Sequence, residues 1–202
     1  MALNFLKLAV FFLLVTYVAH ASDPDIITDF ISTPNASVDG SFFTNMAFRG
    51  LLDSAPPTFK VTKASLAEFP ALNGQSVSFA VLQYPAGSIN PPHTHPRASE
   101  LLFVVKGTLE VGLVDTTNKL YNQTLQTGDM FIFPKGLLHY QYNADPTAAA
   151  TAVSAFGSAS AGTVSVPTAV FATGIDDGIL ANAFKTDAAT IQKIKAGLAT
   201  NA

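Results

Sequence analysis

The sequence predicts an all-β domain, a sandwich or barrel of short strands followed by two short helices. Three observations predict it. From Val77 onward, short β-prone runs recur between Gly, Pro, Asp and Asn punctuation. Thr108 to Val114 alternates apolar and polar as a half-buried strand does, while Leu101 to Val105 is apolar throughout, as a strand buried on both faces would be. The period turns helical only near the end, where Ile191, Ile194 and Leu198 form one stripe.

Met1 to Ala21 reads as a secretory signal peptide. It has one early cation, Lys7, an apolar run from Leu8 to Ala19, and the small residues Ala19 and Ala21 around a cleavage point. A membrane-spanning helix needs about 20 apolar residues, so this run is short for an anchor, and no later run is long enough to span. The mature chain is then 202 − 21 = 181 residues, the size of one domain. Its expected parts are a signal peptide (1–21), an N-terminal arm with the first strands (22–76), a barrel core (77–167) and C-terminal helices (168–202).

Composition excludes several classes. There is no cysteine, so thiolate catalysis, iron–sulfur clusters and cysteine zinc sites are out. The net charge of −3 gives no reason to expect nucleic acid or an anionic membrane. Only 12% of residues are charged while 16 are Phe, which favours a large core and buried surface between subunits. The sequons at Asn35 and Asn122 are glycan candidates on surface loops of a secreted chain.

Ser22 to Phe48 carries turn signals at Asp23-Pro24, Thr33-Pro34 and Asp39-Gly40. Its Ile26, Ile27, Phe30, Ile31, Phe42 and Phe43 need a surface to pack on. Leu51 to Ala71 mixes loop and short strand. Strands are expected over Val77–Tyr84, Leu101–Val105, Thr108–Val114, Leu120–Gln126, Met130–Phe133, Leu138–Tyr142, Ala152–Phe156 and Thr163–Val166. Helices are expected over Ile175–Phe184 and from Asp187 to about Leu198, the second capped by Thr186.

Chemistry concentrates between Gly87 and Asn143. Three of the four histidines, His93, His95 and His139, lie there; the fourth, His20, belongs to the signal peptide. His93 and His95 share a face of an extended segment, which Pro91, Pro92 and Pro96 keep from becoming a helix. Glu100 has the wrong parity for that face, so 96–98 must bend or bulge to bring it round. His139 closes the set from a distant strand, and Asn143 shares its parity. Three imidazoles and a carboxylate suit Mn, Fe, Zn, Ni or Co and disfavour Cu(I). An octahedral ion would keep two positions open for substrate.

The spacings resemble the two sequence boxes of germins and germin-like proteins, in the cupin superfamily. Gly87, His93, His95, Glu100 and Gly107 match the first box, and Gly128, Pro134, Gly136, His139 and Asn143 the second. Ser22 to Phe30 resembles the family's mature N-terminus. The resemblance implies a jelly-roll β-barrel with Mn(2+) held by His93, His95, Glu100 and His139. It also implies a secreted, apoplastic cell-wall glycoprotein assembled as a homo-hexamer, a trimer of dimers clasped by the terminal helices.

The chain departs from the family at two places. Most members tie down the arm with a disulfide whose cysteines fall at about Ile31 and Phe43 here. Oxalate-oxidising members place two asparagines beside the metal. One matches Asn90, a possible substrate donor, but the other position is Ala80. The resemblance therefore favours superoxide dismutase chemistry, since a small anion needs only an open coordination position and a proton source. The alternatives are oxalate oxidase, which Ala80 disfavours, and a non-enzymatic wall or storage glycoprotein.

Overall fold

The computed structural model describes residues 23–34 and 38–199. The expected signal peptide and Asn35 lie outside the described residues. Ten strands form: β1 Lys60–Ala64, β2 Ser78–Tyr84, β3 Ile89–Thr94, β4 Glu100–Lys106, β5 Thr108–Val114, β6 Leu120–Gln126, β7 Met130–Phe133, β8 Leu138–Tyr142, β9 Ala150–Phe156 and β10 Val164–Ser165. They pair antiparallel into two five-stranded sheets, ordered β1-β2-β9-β4-β7 and β10-β3-β8-β5-β6.

The inner faces of the two sheets make the core. Leu82 and Tyr84 from β2, Leu102 and Val104 from β4, and Phe133 from β7 meet Leu109 and Val111 from β5. Full burial of such a side chain contributes about 1.5–3 kcal/mol. Gly107 turns β4 into β5 with φ +82°, and a Cβ there would stand 2.9 Å from Ala149 O. Both the handedness and the space call for glycine.

Leu101–Val105 was expected to be buried on both faces, and this is corrected. Leu102 and Val104 are fully buried, but Leu101 and Phe103 stay 42% and 40% exposed. Register places Leu101 opposite Ile132 and Phe103 opposite Met130, both also exposed. On the other flank Phe79 lies in the same row, through Ala155 of β9. The outer face of this sheet is an apolar band that the described residues of the chain leave open.

The N-terminal arm lies on the barrel. Gln83 Nε2 donates to Leu51 O at 2.8 Å and to Ser54 O at 2.9 Å. Phe43 packs edge-on against Phe30 at 5.2 Å and Phe42 at 4.9 Å, so aromatic contacts hold this part of the cysteine-free arm together.

Three helices follow the barrel: α1 Val166–Phe171, α2 Asp177–Phe184 and α3 Ala188–Ala199. The first was not expected, because its β-branched residues read as strand. Pro167 near its start suits a helix N-terminus. Asp187 caps α3, accepting from Thr190 N at 2.9 Å, so the expectation that Thr186 caps it is corrected. A carboxylate competes well for this position because it also meets the helix dipole. Of the apolar stripe on α3, Ile191 is fully buried within the chain while Ile194 is 39% exposed.

Candidate metal centre

The four expected ligands converge. Their ligand atoms all lie within 4.8 Å of one another, and all four side chains are buried. His93 on β3 and His139 on β8 are register partners in one sheet, with ring centroids 4.2 Å apart. His95 follows the end of β3, and Glu100 opens β4 in the other sheet. The bend expected at 96–98 is thus a crossing between sheets rather than a bulge within a strand. Arg97 N donates to Ala161 O at 3.1 Å, and its Nε donates to Ser160 O, which fixes the crossing. Gly136, at φ +77°, donates from its N–H to His95 O at 3.0 Å, tying the second sequence box to the first.

Backbone carbonyls orient each imidazole. Nδ1 lies 2.8 Å from Pro91 O in His93, 2.8 Å from Leu137 O in His139 and 2.5 Å from Gly162 O in His95. A carbonyl only accepts, so Nδ1 carries a proton and Nε2 is the nitrogen turned toward the cluster. Burial, followed by the neighbouring His139, pushes His93 down to about 4, so it is neutral at neutral pH.

This arrangement calls for a cation. Nε2 of His95 and Nε2 of His139 lie 2.9 and 3.1 Å from the same oxygen, Glu100 Oε2. Burial alone would raise the Glu100 carboxyl, but hydrogen bonds from His139 and His95, each of which needs a proton on Nε2, outweigh it and hold it at about 2. It is therefore an anion. With each Nδ1 already donating to a carbonyl, an Nε2 that faces this carboxylate needs either a second ring proton or a metal ion between them. A divalent ion satisfies all four groups at once, and this donor set fits a borderline-to-hard metal.

Further residues, of which only Asn90 was named beforehand, support the four. Ser154 Oγ donates to Glu100 Oε1 at 2.5 Å, and Gln141 Nε2 approaches the same oxygen at 3.4 Å. Gln141 Oε1 accepts from Asn90 Nδ2 at 2.6 Å and from the buried Tyr84 hydroxyl at 3.4 Å. Burial and then the Glu100 charge raise Tyr84 well above its ordinary value, so its hydroxyl stays a donor. Phe133 stacks on His139 at 4.3 Å and 19°. Gln141 was findable, being two residues past His139 on an alternating strand. Ser154 is the polar residue of an otherwise apolar stretch of β9.

Two expected placements differ. Asn143 does not line the metal interior: its Nδ2 donates to Tyr84 O, Pro85 O and Ala148 O, and its Oδ1 accepts from Asp145 N. It staples loops together. Asn122 is exposed as expected but sits within edge strand β6 rather than in a loop.

A cavity of about 410 Å³ adjoins the cluster, lined among others by Ala80, Asn90, His93, His95, Glu100 and Phe156. Asn90 therefore faces it, and Ala80 forms part of its wall. The loop carrying Gly162 is held from the arm. Asp23 Oδ1 accepts from Ser158 Oγ at 2.6 Å, and its Oδ2 accepts from Ala159 N at 2.6 Å.

Comparison with known proteins decides the family. The Cupin family pattern matches residues 50–192. Rice germin-like protein 9-3 (Oryza sativa subsp. japonica) is 58% identical over 187 residues, covering 88% of this chain and 87% of the relative. The chain is a germin-like cupin protein. Among more distant germin-like relatives, subfamily 2 member 2 of Arabidopsis thaliana is 39% identical over 170 residues, covering 83% of this chain and 77% of the relative. Of solved structures, an oxalate oxidase in complex with the substrate analogue glycolate superposes with a TM-score of 0.77 at 31% identity. That match covers 90% of this germin-like chain and 100% of the oxidase. The paired sheets are thus the cupin jelly roll. No helix among the described residues is long and apolar enough to cross a membrane.

Proposed function

We propose that this germin-like chain is a secreted manganese oxidoreductase that dismutes superoxide in the plant cell wall. The observation that carries the reading is the buried His93, His95, Glu100 and His139 cluster beside a cavity whose wall at Ala80 is apolar. In the overall reaction, two superoxide anions and two protons give dioxygen and hydrogen peroxide. Bound manganese would supply the one-electron redox chemistry and an open coordination position. The chain's own residues do the rest. The three Nε2 atoms and the Glu100 carboxylate would hold the ion, and the Nδ1 carbonyl contacts fix the rings. Gln141 and Ser154 hold Glu100, and Asn90 presents its amide to the cavity.

Oxalate is the harder substrate for this cavity. It is a dianion that needs donors at both ends, and Ala80 offers none. The likeness to oxalate oxidase makes it the second reading. Purified, manganese-loaded protein supplied first with oxalate and then with superoxide separates the two. Peroxide from superoxide alone supports dismutation; peroxide from oxalate at a comparable rate overturns it; peroxide from neither favours a non-enzymatic wall or storage role.

The same reading includes secretion to the apoplast, glycosylation at Asn35 and Asn122, and a hexamer. The open apolar band of Leu101, Phe103, Met130 and Ile132 supports subunit contact, as do Ile179 and Phe184 on α2, which are 63% and 54% exposed. Surfaces of this kind are covered in stable oligomers.

A further inference from the structure

The cavity beside the cluster holds a charge that no sequence motif points to. Lys63 of β1 lines it, together with Ala80, Asn90, His93 and Glu100. Parity explains why. Val61 packs against the core, and Lys63 is two residues on, so both project to the inner side of the sheet. Register then sets Lys63 directly across from Ala80. The residue that leaves the wall apolar is therefore the cross-strand neighbour of a lysine.

Among the lining residues Lys63 is the one permanent cation, and Glu100 is the one carboxylate. Glu100 is 1% exposed and committed to His95, His139 and Ser154. Lys63 lines the cavity while remaining exposed to solvent. Lys63 lowers the Glu68 carboxyl, as the smallest of several causes led by the Ser65 hydrogen bond. That carboxylate is itself engaged by Ser65, at Oγ and at the backbone N. A cation at the rim of a low-dielectric cleft concentrates small anions there.

We propose that Lys63 is the anion-recognition residue of this cavity, drawing superoxide or a small carboxylate inward at the position Ala80 leaves without a donor. The inference rests on the reading of the site as one for a small anion. Lys63 acts on entry and on the ligand's charge, and it leaves the metal ligands untouched.

The test compares wild type with Lys63→Glu, Lys63→Met and the charge-conserving Lys63→Arg, all manganese-loaded and checked for equal metal content. Oxalate is titrated by calorimetry with dioxygen excluded, so that only binding is read, and the dismutation rate is followed against ionic strength. Oxalate affinity is expected to fall about tenfold in Lys63→Glu, less in Lys63→Met and little in Lys63→Arg. The dismutation rate of wild type falls with added salt, and Lys63→Glu flattens or reverses that slope. Equal oxalate affinities across the four proteins, or no oxalate binding by wild type, overturn the proposal. Lys63-dependent oxalate binding without any dismutation leaves Lys63 as the anion site and overturns the dismutase reading instead.

Discussion

Asn90 and Gln141 are joined amide to amide, with Asn90 Nδ2 donating to Gln141 Oε1 at 2.6 Å. Through the Nε2 of Gln141 this link continues to Glu100 Oε1. A residue on the cavity wall and a buried ligand thus share one polar network, alongside Ser154 and Tyr84. Orienting groups of this kind typically change metal affinity or activity by about 10–100-fold when removed. Gln141→Leu is expected to lower manganese affinity in that range while the fold persists. Competition against a chelator measures it, and unchanged affinity would show that Ser154 alone positions Glu100.

Ala80→Asn adds an amide to the cavity wall across from Lys63. A hydrogen bond to a charged group is worth about 1.5–3 kcal/mol, so oxalate turnover is expected to rise by roughly one to two decades. Peroxide release from oxalate measures it. A wild type already as fast as the variant would show that the amide is not what oxalate lacks.

Asp23→Ala removes two hydrogen bonds that pin the 158–162 loop to the arm, and with it the carbonyl that orients His95. Even one charge-assisted bond is worth about 1.5–3 kcal/mol, so losing both should lower the melting temperature by at least roughly 3–12 °C. Manganese retention should fall as well, because His95 loses its fixed orientation. A variant that melts lower but keeps its metal fully would make Asp23 a clamp on the arm alone.

Met130→Asp places a charge in the apolar band opposite Phe103. Light scattering should report a smaller species than wild type, because an unpaired charge is costly in a covered apolar contact. Deleting residues from Thr186 onward should also reduce the oligomeric state or the stability. An unchanged mass for Met130→Asp would mean the band is not a subunit contact.

Acid should weaken the docking of α2 on α3. Asp177 Oδ1 accepts from Lys195 Nζ at 2.6 Å, and Lys195, then Gln192, hold the Asp177 carboxyl below its ordinary value. A lowered folded value contributes stability above the unfolded value of about 4 and loses it as pH falls through the folded one. The two side chains are 25% and 28% accessible, so water still reaches the pair and salt screens it in part. Urea midpoints for wild type and Asp177→Asn should differ at pH 7 and converge below pH 4. A gap that persisted in acid would place the effect in packing rather than charge.

The cluster of candidate ligands was legible because its chemistry is local. Parity paired His93 with His95, prolines kept them extended, and the misfit of Glu100 correctly required a bend. What that bend does, crossing from one sheet to the other, depends on tertiary pairing with Ala161 and Ser160. Parity failed at Asn143, which lies past the end of β8, where alternation no longer governs direction. Gln141 and Lys63 were within reach of the same parity argument, but only strand pairing places them beside Glu100 and Ala80. Leu101 to Val105 misled because an apolar run has the same sequence whether its second face meets its own chain or remains open. The helix at Val166–Phe171 was hidden by β-branched residues whose weak helix preference its packing on β3 overrides.

The central claim is that His93, His95, Glu100 and His139 hold one manganese ion that turns over superoxide. Metal analysis by mass spectrometry, with a dismutation assay on the same samples of wild type and His139→Ala, tests it most directly. The account predicts one manganese per chain in wild type, dismutation proportional to that content, and loss of most of both in the variant. Full manganese content in His139→Ala, or manganese-loaded wild type without dismutation, would contradict it.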